Sequence, residues 1–358
     1  MRVLRPVTIV AGIVMLTGSA AAQISLTPPG VQTPPVENKP ARAKPKKPAP
    51  EKPAAAKKPA APTAGTPNAP PASSAAPTDT NVDLVYGAYQ RGLYKTAFEL
   101  ATKRVQENGD PKAMTMLGEL YANALGIKRD YAKAAEWYKR AAEAGDREGM
   151  FALAMLRLSG RGGGTASREE GAKWLASAAK LGNPKAAYNL ALLYLDGQTF
   201  PQDVKRAAEL LRVAADAGNP EAQYALATFY KEGTGVEKNV DKAVRLLQAA
   251  ALADNVDAEV EYAIALFNGT GTPKNEAAAV ALLSKAARQN SPIAQNRLAR
   301  VLVTGIGAPM DKVEGLKWHI VAKTAGKGDL MLDEALAQAS PEDRAKAQEA
   351  ARRWLGTK

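Results

Sequence analysis

Apolar and polar residues recur at helical spacing through most of the chain, and the whole pattern repeats. An Ala-Ala pair that ends in a small or polar residue returns every 36 residues, with one interval of 37. Its copies are Ala141–Gly145, Ala178–Gly182, Ala214–Gly218, Ala250–Asp254 and Ala286–Asn290, and Gly326 closes a sixth. A fixed period of this length indicates stacked copies of one structural unit.

Each copy predicts two helices. Asp110, Asn183, Asn219 and Ser291 each precede a proline, the pattern of an N-cap followed by proline in the first helical position. The first helix has a leucine or tyrosine between two small residues, at Leu117, Leu153, Leu190, Leu226, Tyr262 and Leu298. The second helix has apolar pairs, and the Gly, Asp or Asn that ends each copy suits a helix C-cap. One hairpin cannot bury these faces, whereas a stack of hairpins can, so we expect an all-α solenoid.

The motifs resemble a known repeat family. The pattern A-x-x-x-L-G/A-x-x-Y-x-x-G-x-G, followed by D-x-x-K-A-x-x-L/W and A-A-x-x-G, is similar to Sel1-like repeats, relatives of the tetratricopeptide repeat. Six copies cover residues 110–326, and the resemblance implies a right-handed α-solenoid. We expect capping helices at 81–109 and 327–358, the last of them with Ser340 as N-cap and Pro341 in its first position.

The resemblance also implies a binding site. In tetratricopeptide-like stacks the first helices line a concave groove, which here would take another protein or a peptide. The residues that this register assigns to the groove are Phe151, Met155, Tyr188, Leu192, Glu221, Tyr224, Thr228, Lys231, Val260, Ile264, Asn296 and Arg300. The alternative for each of them is burial between the helices.

The first 22 residues predict a secretory signal peptide. Arg2 and Arg5 precede ten apolar or small residues and the small-residue end Ala20-Ala21-Ala22. The apolar run is shorter than the roughly 20 residues that span a bilayer. The alternative is an uncleaved anchor, but both place the rest of the chain in the periplasm or outside the cell.

Residues 23–80 predict a disordered spacer. They hold 15 of the 24 prolines, no aromatic residue and a net charge of +5, out of +12 for the chain. Its lysines could form an electrostatic tether to an anionic envelope polymer or to lipid head groups. They are Lys44, Lys46, Lys47, Lys52, Lys57 and Lys58. The alternative is a solvated spacer, and the export signal argues against nucleic acid.

Candidate chemistry is sparse, because the chain has no cysteine and one histidine. His319 stands where other copies have Tyr138 or leucine, so we interpret it as a packing residue. The Gly-x-Gly sequences, such as Gly233-Thr234-Gly235, lie in the turn between the two helices and not after a strand, which favours tight turns over a phosphate site. We therefore predict no catalytic residue, no metal site and no cofactor.

The expected function is a non-catalytic exported scaffold. Exported proteins of similar type include regulators of membrane sensors, which implies a regulator of a sensor or of an envelope complex. The alternatives are a protein that binds peptidoglycan or an acidic glycan, and a wall-active hydrolase. The hydrolase reading is weakened by the absence of the cysteines of such relatives and of a nucleophile–base pair.

Overall fold

The computed structural model describes residues 83–162 and 167–356, and these form α-helices joined by short turns. The predicted signal peptide, the spacer and its six tether lysines lie outside the described residues. Two helices precede the repeats, α1 (Leu84–Gln90) and α2 (Tyr94–Asn108), and two follow them, α15 (Leu330–Gln338) and α16 (Pro341–Gly356). Within the described residues, no helix is both long and apolar enough to cross a membrane.

Six helical hairpins lie between these terminal helices. Their first helices are α3 (Pro111–Asn123), α5 (Arg147–Leu158), α7 (Pro184–Asp196), α9 (Pro220–Glu232), α11 (Val256–Asn268) and α13 (Pro292–Thr304). Their second helices are α4 (Tyr131–Glu143), α6 (Arg168–Lys180), α8 (Val204–Asp216), α10 (Val240–Leu252), α12 (Glu276–Arg288) and α14 (Lys312–Thr324). Each second helix packs on its own first helix, and those before α14 also pack on the first helix of the next hairpin. The predicted all-α solenoid of stacked hairpins is confirmed.

The helix ends follow the predicted caps. The Asn183 and Asn219 side chains accept from the backbone N–H groups of Ala186 (2.8 Å) and Ala222 (2.7 Å). Such a cap is worth about 1 kcal/mol. At the other end of the repeats, Asp254 and Asn290 adopt left-handed backbone angles, with φ of 61° and 70°, at the position where other copies have glycine. Both tolerate this conformation better than most residues do, which explains why they can replace glycine there.

The core is built by the leucines and small residues of the repeat. Leu190, Leu226 and Leu298 are 6%, 3% and 3% exposed, and the small residues that flank them are buried. The first repeat has Tyr138 in its second helix, where the next four repeats have leucine. Tyr138 lies opposite Gly118 of the first helix, a position at which all later repeats have alanine. A Cβ atom on Gly118 would lie 2.5 Å from the tyrosine ring, so this glycine makes room for the ring.

The C-terminal helices begin as predicted. The Ser340 hydroxyl accepts from the backbone N–H of Asp343 (3.0 Å) and caps α16, which starts with Pro341. Asp329 caps α15 through the N–H of Leu332 (3.3 Å). α16 packs on α14, so the second helix of the last repeat is covered by the end of the chain.

Candidate functional site

The predicted groove residues fall mainly on two positions of the first helix, the fifth and the ninth. These positions are four residues apart and therefore share one side of a helix. They stand two residues from the core leucine, which is about 200° around a helix with 3.6 residues per turn. The side chains at these positions consequently point away from the leucine face that packs inside each hairpin. We call this the first-helix surface: Phe151, Met155, Tyr188, Leu192, Tyr224, Thr228, Ile264, Asn296 and Arg300.

All nine residues of the first-helix surface are half-buried, whereas Glu221 and Lys231 at its edge are exposed. Half-burial on the side opposite the core leucine leaves a part of each side chain accessible. Val260 is an exception, because it is only 4% exposed. Its prediction as a groove residue was wrong: the short valine side chain does not extend beyond its neighbours as a tyrosine does at the same position.

The two tyrosines of the first-helix surface lie close to carboxylates. Burial, and then the charge of Glu221, raise the pKa of Tyr188. For Tyr224, burial acts first and Glu261, Asp257 and Glu232 follow, which together raise its pKa to about 12. Both phenols therefore stay neutral at physiological pH, and the surface between α9 and α11 is acidic.

Sequence reasoning did not identify Glu232, Asp257 and Glu261 as parts of this surface. A signal for one of them was available, since Asp257 lies one repeat after Glu221 in the same register. Glu261 accepts from Lys231 Nζ at 3.0 Å, and this ion pair links α11 to α9. Two neighbouring first helices are thus connected at the edge of the surface.

The surface ends at the last repeat. The Asp329 carboxylate accepts from Arg300 Nε (2.5 Å) and from Asn296 Nδ2 (3.2 Å), and it is 5% exposed. Asn296 and Arg300 therefore hold the start of α15. The part of the first-helix surface that remains open to a partner lies on α5, α7, α9 and α11.

His319 is on a second helix and is not part of the first-helix surface. It is fully buried in α14, with Nε2 2.8 Å from Asp333 Oδ1 of α15. Lys323 Nζ donates to the same oxygen at 2.7 Å. This burial agrees with the prediction of a packing residue. In the described part of the chain, no group of three or more His, Asp and Glu side chains is placed to hold a metal ion.

Comparisons with known proteins agree with this architecture. The family model described as Sel1 repeat matches residues 111–146, 147–183, 184–219, 220–255, 256–291 and 292–327. A solved Sel1 repeat protein from Oxalobacter formigenes is 26% identical, with a TM-score of 0.59 over 67% of this chain and 98% of that one.

A second solved structure shows the same fold. It is a protective antigen of uropathogenic Escherichia coli strains that displays an SLR fold, 24% identical, with a TM-score of 0.51 over 75% of this chain and 67% of that one. The comparison with curated protein sequences found no match. Sel1 repeats are generally a non-catalytic fold that binds other proteins. Because the matched repeats cover more than half of its length, the chain belongs to the Sel1 repeat family.

Proposed function

We propose that this protein is an exported scaffold without catalytic activity, which holds a partner protein against its first-helix surface. The observation that carries the proposal is the accessibility of Tyr188 and Tyr224. Both rings stand on the side of the helix that the core does not use, and both are only half-buried. Aromatic side chains of this kind supply much of the binding energy in protein interfaces. The family supports the same function, since Sel1 repeats bind other proteins.

The finer role that we propose is regulation of a membrane sensor or of an envelope complex in the periplasm. Its support is the N-terminal sequence, where Arg2 and Arg5 precede a short apolar run and a small-residue cleavage motif. A spacer at 23–80 would then let the repeats reach a partner at some distance from the N-terminal end of the spacer.

A second candidate function is binding of an anionic envelope polymer through the tether lysines. The observation that favours it is the net charge of +5 in residues 23–80. The test compares the full chain with a variant that has glutamine at Lys44, Lys46, Lys47, Lys52, Lys57 and Lys58. Co-sedimentation with purified cell wall should fall in the variant and should weaken as salt rises. Equal sedimentation of the two proteins would exclude the tether.

Site-specific crosslinking in cells tests the scaffold function. A photoreactive phenylalanine analogue replaces Tyr188 or Tyr224 on first helices, or the exposed Val213 or Leu252 on second helices as matched controls. We expect one protein to be crosslinked from the tyrosine positions and not from the controls. The same product should disappear when Leu192 is replaced by Asp. Crosslinking of the same proteins from all four positions would contradict a specific role for the first-helix surface.

A further inference from the structure

Three exposed carboxylates beside the tyrosines lack a partner. Glu221, Glu232 and Asp257 form no ion pair or side-chain hydrogen bond within residues 83–162 and 167–356. Glu261 is different, because it is paired with Lys231. On α7 the position equivalent to Glu221 is Lys185, so the acidic part of the surface begins at α9. Burial and then the charge of Glu221 raise the pKa of Tyr188, and Asp257 and Glu232 are among the charges that raise the pKa of Tyr224, so unpaired carboxylates lie near both rings.

The rings of Tyr188 and Tyr224 can be compared with the other aromatic rings of the repeats. Several of those rings have a cation of the same chain over them: Lys133 over Tyr121 (5.4 Å), Arg161 over Tyr131 (5.3 Å), Arg140 over Trp137 (4.3 Å), Lys242 over Tyr230 (5.3 Å) and Lys317 over Trp318 (4.1 Å). Among the described side chains, no Lys or Arg takes this place over Tyr188 or Tyr224. No cation of the described residues therefore competes with a cation of a partner at these two rings, and unpaired carboxylates lie beside them.

From these two observations we infer that the first-helix surface on α7, α9 and α11 binds a partner segment through its arginine or lysine side chains. A cation of the partner lies over the ring of Tyr188 or Tyr224 and pairs with Glu221 or Asp257. Complementary charge of this kind gives specificity and speeds association. The inference rests on the scaffold function proposed above and adds the chemistry of the partner segment.

Peptide binding to the full chain tests the charge of the partner. The probe is a short fluorescein-labelled peptide with arginine at every third residue. This spacing is chosen because packed helices lie roughly 10 Å apart, a distance that about three residues of extended chain span. The control peptide has glutamine in place of arginine. Fluorescence anisotropy should show binding of the arginine peptide alone, and the affinity should fall as salt rises.

Three variants locate the binding site, one of them a double substitution. The pair Glu221→Gln and Asp257→Asn should weaken binding of the arginine peptide roughly fivefold, since each exposed charge pair contributes modestly. Tyr224→Leu should weaken it about two- to fivefold, whereas Tyr224→Phe keeps the ring and should bind as the unchanged protein does. The Phe variant separates loss of the ring from loss of fold, and circular dichroism checks every variant.

Matched controls lie outside the surface. Asp216→Asn with Glu237→Gln removes the same charge from exposed positions elsewhere, and Tyr230→Leu removes a ring of α9 that already has Lys242 over it. Neither should change the affinity. Equal binding of both peptides, equal loss in the controls, or no loss in Glu221→Gln with Asp257→Asn would overturn the inference.

Two further outcomes are decisive. If sedimentation shows that the chain self-associates and that Glu221→Gln with Asp257→Asn abolishes this, the occupant is a second copy and the inference is wrong. If crosslinking from Tyr224 captures a specific protein but the arginine peptide does not bind, the scaffold function stands and only the charge of the partner is refuted.

Discussion

The first three repeats and the last three fill one internal position in different ways. At the fourth residue of the first helix, the first three have Met114, Met150 and Ala187. The last three have Gln223, Glu259 and Gln295 at the same position. The first helices have 13 residues, except α5 with 12, and they pack in the same order in both halves. The difference is confined to the chemistry of the side chain that enters the core.

At this position of the last three repeats, each polar side chain bonds to a residue of a second helix or to the residue that ends it. The side-chain amides of Gln223 and Gln295 each donate to a carbonyl of the preceding second helix, at 3.1 Å in both cases. Glu259 is fully buried and binds Lys285 Nζ at 2.6 Å and Gln289 Nε2 at 3.1 Å. A buried polar group without such partners would cost several kcal/mol. The comparison teaches that a polar residue at this position is accompanied by at least one hydrogen bond to a second helix, although the side-chain oxygen of Gln223 is buried without a partner among the described residues.

The largest effect is expected at the core leucine that both halves share. Leu153→Ala in the first half and Leu298→Ala in the second should each lower the free energy of unfolding by about 3 kcal/mol, through lost burial and a cavity. Urea denaturation followed by circular dichroism measures it. Leu252→Ala, at a position that is 80% exposed, is the control and should cost less than about 0.5 kcal/mol. A markedly smaller cost for Leu298→Ala would mean that the two halves differ in the common core as well.

The repeat period and the caps could be predicted from the sequence, because both depend on contacts within about 36 residues of chain. Leucine spacing, small residues and the Asn-Pro pairs each have a local physical meaning. Burial of Glu259 could not be predicted, since a glutamate in a helix normally indicates a solvent-exposed face. Its partner Lys285 is on a different helix, and only the packing of α11 on α12 brings them together.

The candidate site was predictable to a similar degree. Helical register placed Tyr188 and Tyr224 on one side of their helices, and both are accessible. Register could not decide whether Val260 reaches the surface, because this depends on side-chain length relative to the neighbouring helices. It also could not show that Asp329 binds Asn296 and Arg300, since that contact requires α15 to pack on α13.

In the ion pair between Glu259 and Lys285, loss of the lysine should lower the stability of the protein more than loss of the glutamate. Lys285→Met leaves the buried Glu259 carboxylate with Gln289 alone and should cost about 2 kcal/mol, less than a fully buried pair because Lys285 is partly exposed. Glu259→Met should cost under about 1 kcal/mol, because Lys285 keeps Asp254 as a partner at 2.5 Å. The control is Lys173→Met, on an exposed position of α6 in the first half. Equal costs for the two pair variants in urea unfolding would refute this asymmetry.

Acid should loosen α15 from the last repeat before it affects the first half, through Asp329. Burial opposes its ionisation, but hydrogen bonds from Arg300 and Asn296 outweigh burial and hold the pKa of the Asp329 carboxyl below its ordinary value of 3.8. A lowered pKa in the folded state gives stability that is complete above pH 3.8 and is lost as pH falls through the folded value. Amide hydrogen exchange should therefore show α15 opening as pH falls below 3.8, relative to α5 in the first half.

Asp329→Asn is the matched variant for this measurement, since asparagine can still cap α15 but does not titrate. Protection of α15 in this variant should be lower above pH 3.8 and should change less with acid. The same acid response in both proteins would show that another group, such as Asp333 with its partners His319 and Lys323, controls the attachment of α15.

The smallest effect on stability is expected when the residue of one half is placed at the equivalent position of the other half. Gln295→Met removes an amide donor, yet the carbonyl of Ala287 still accepts from the backbone N–H of Asn290 at 3.1 Å. No buried group is left unpaired, and a thioether fills similar space, so the free energy of unfolding should change by less than about 1 kcal/mol. In the first half, Met150→Gln would put an amide near the carbonyl of Ala142, which at present accepts from the N–H of Gly145.

That carbonyl is arranged as the one of Ala215 is, which accepts from the N–H of Gly218 and from Gln223. Met150→Gln should therefore cost no more than about 1 kcal/mol, and urea unfolding of both exchange variants measures the pair. If Met150→Gln instead costs more than about 3 kcal/mol, the carbonyl of Ala142 is not accessible to an amide. The polar filling of the last three repeats would then require a backbone adjustment that the first three lack, and would not be a simple change of side chain.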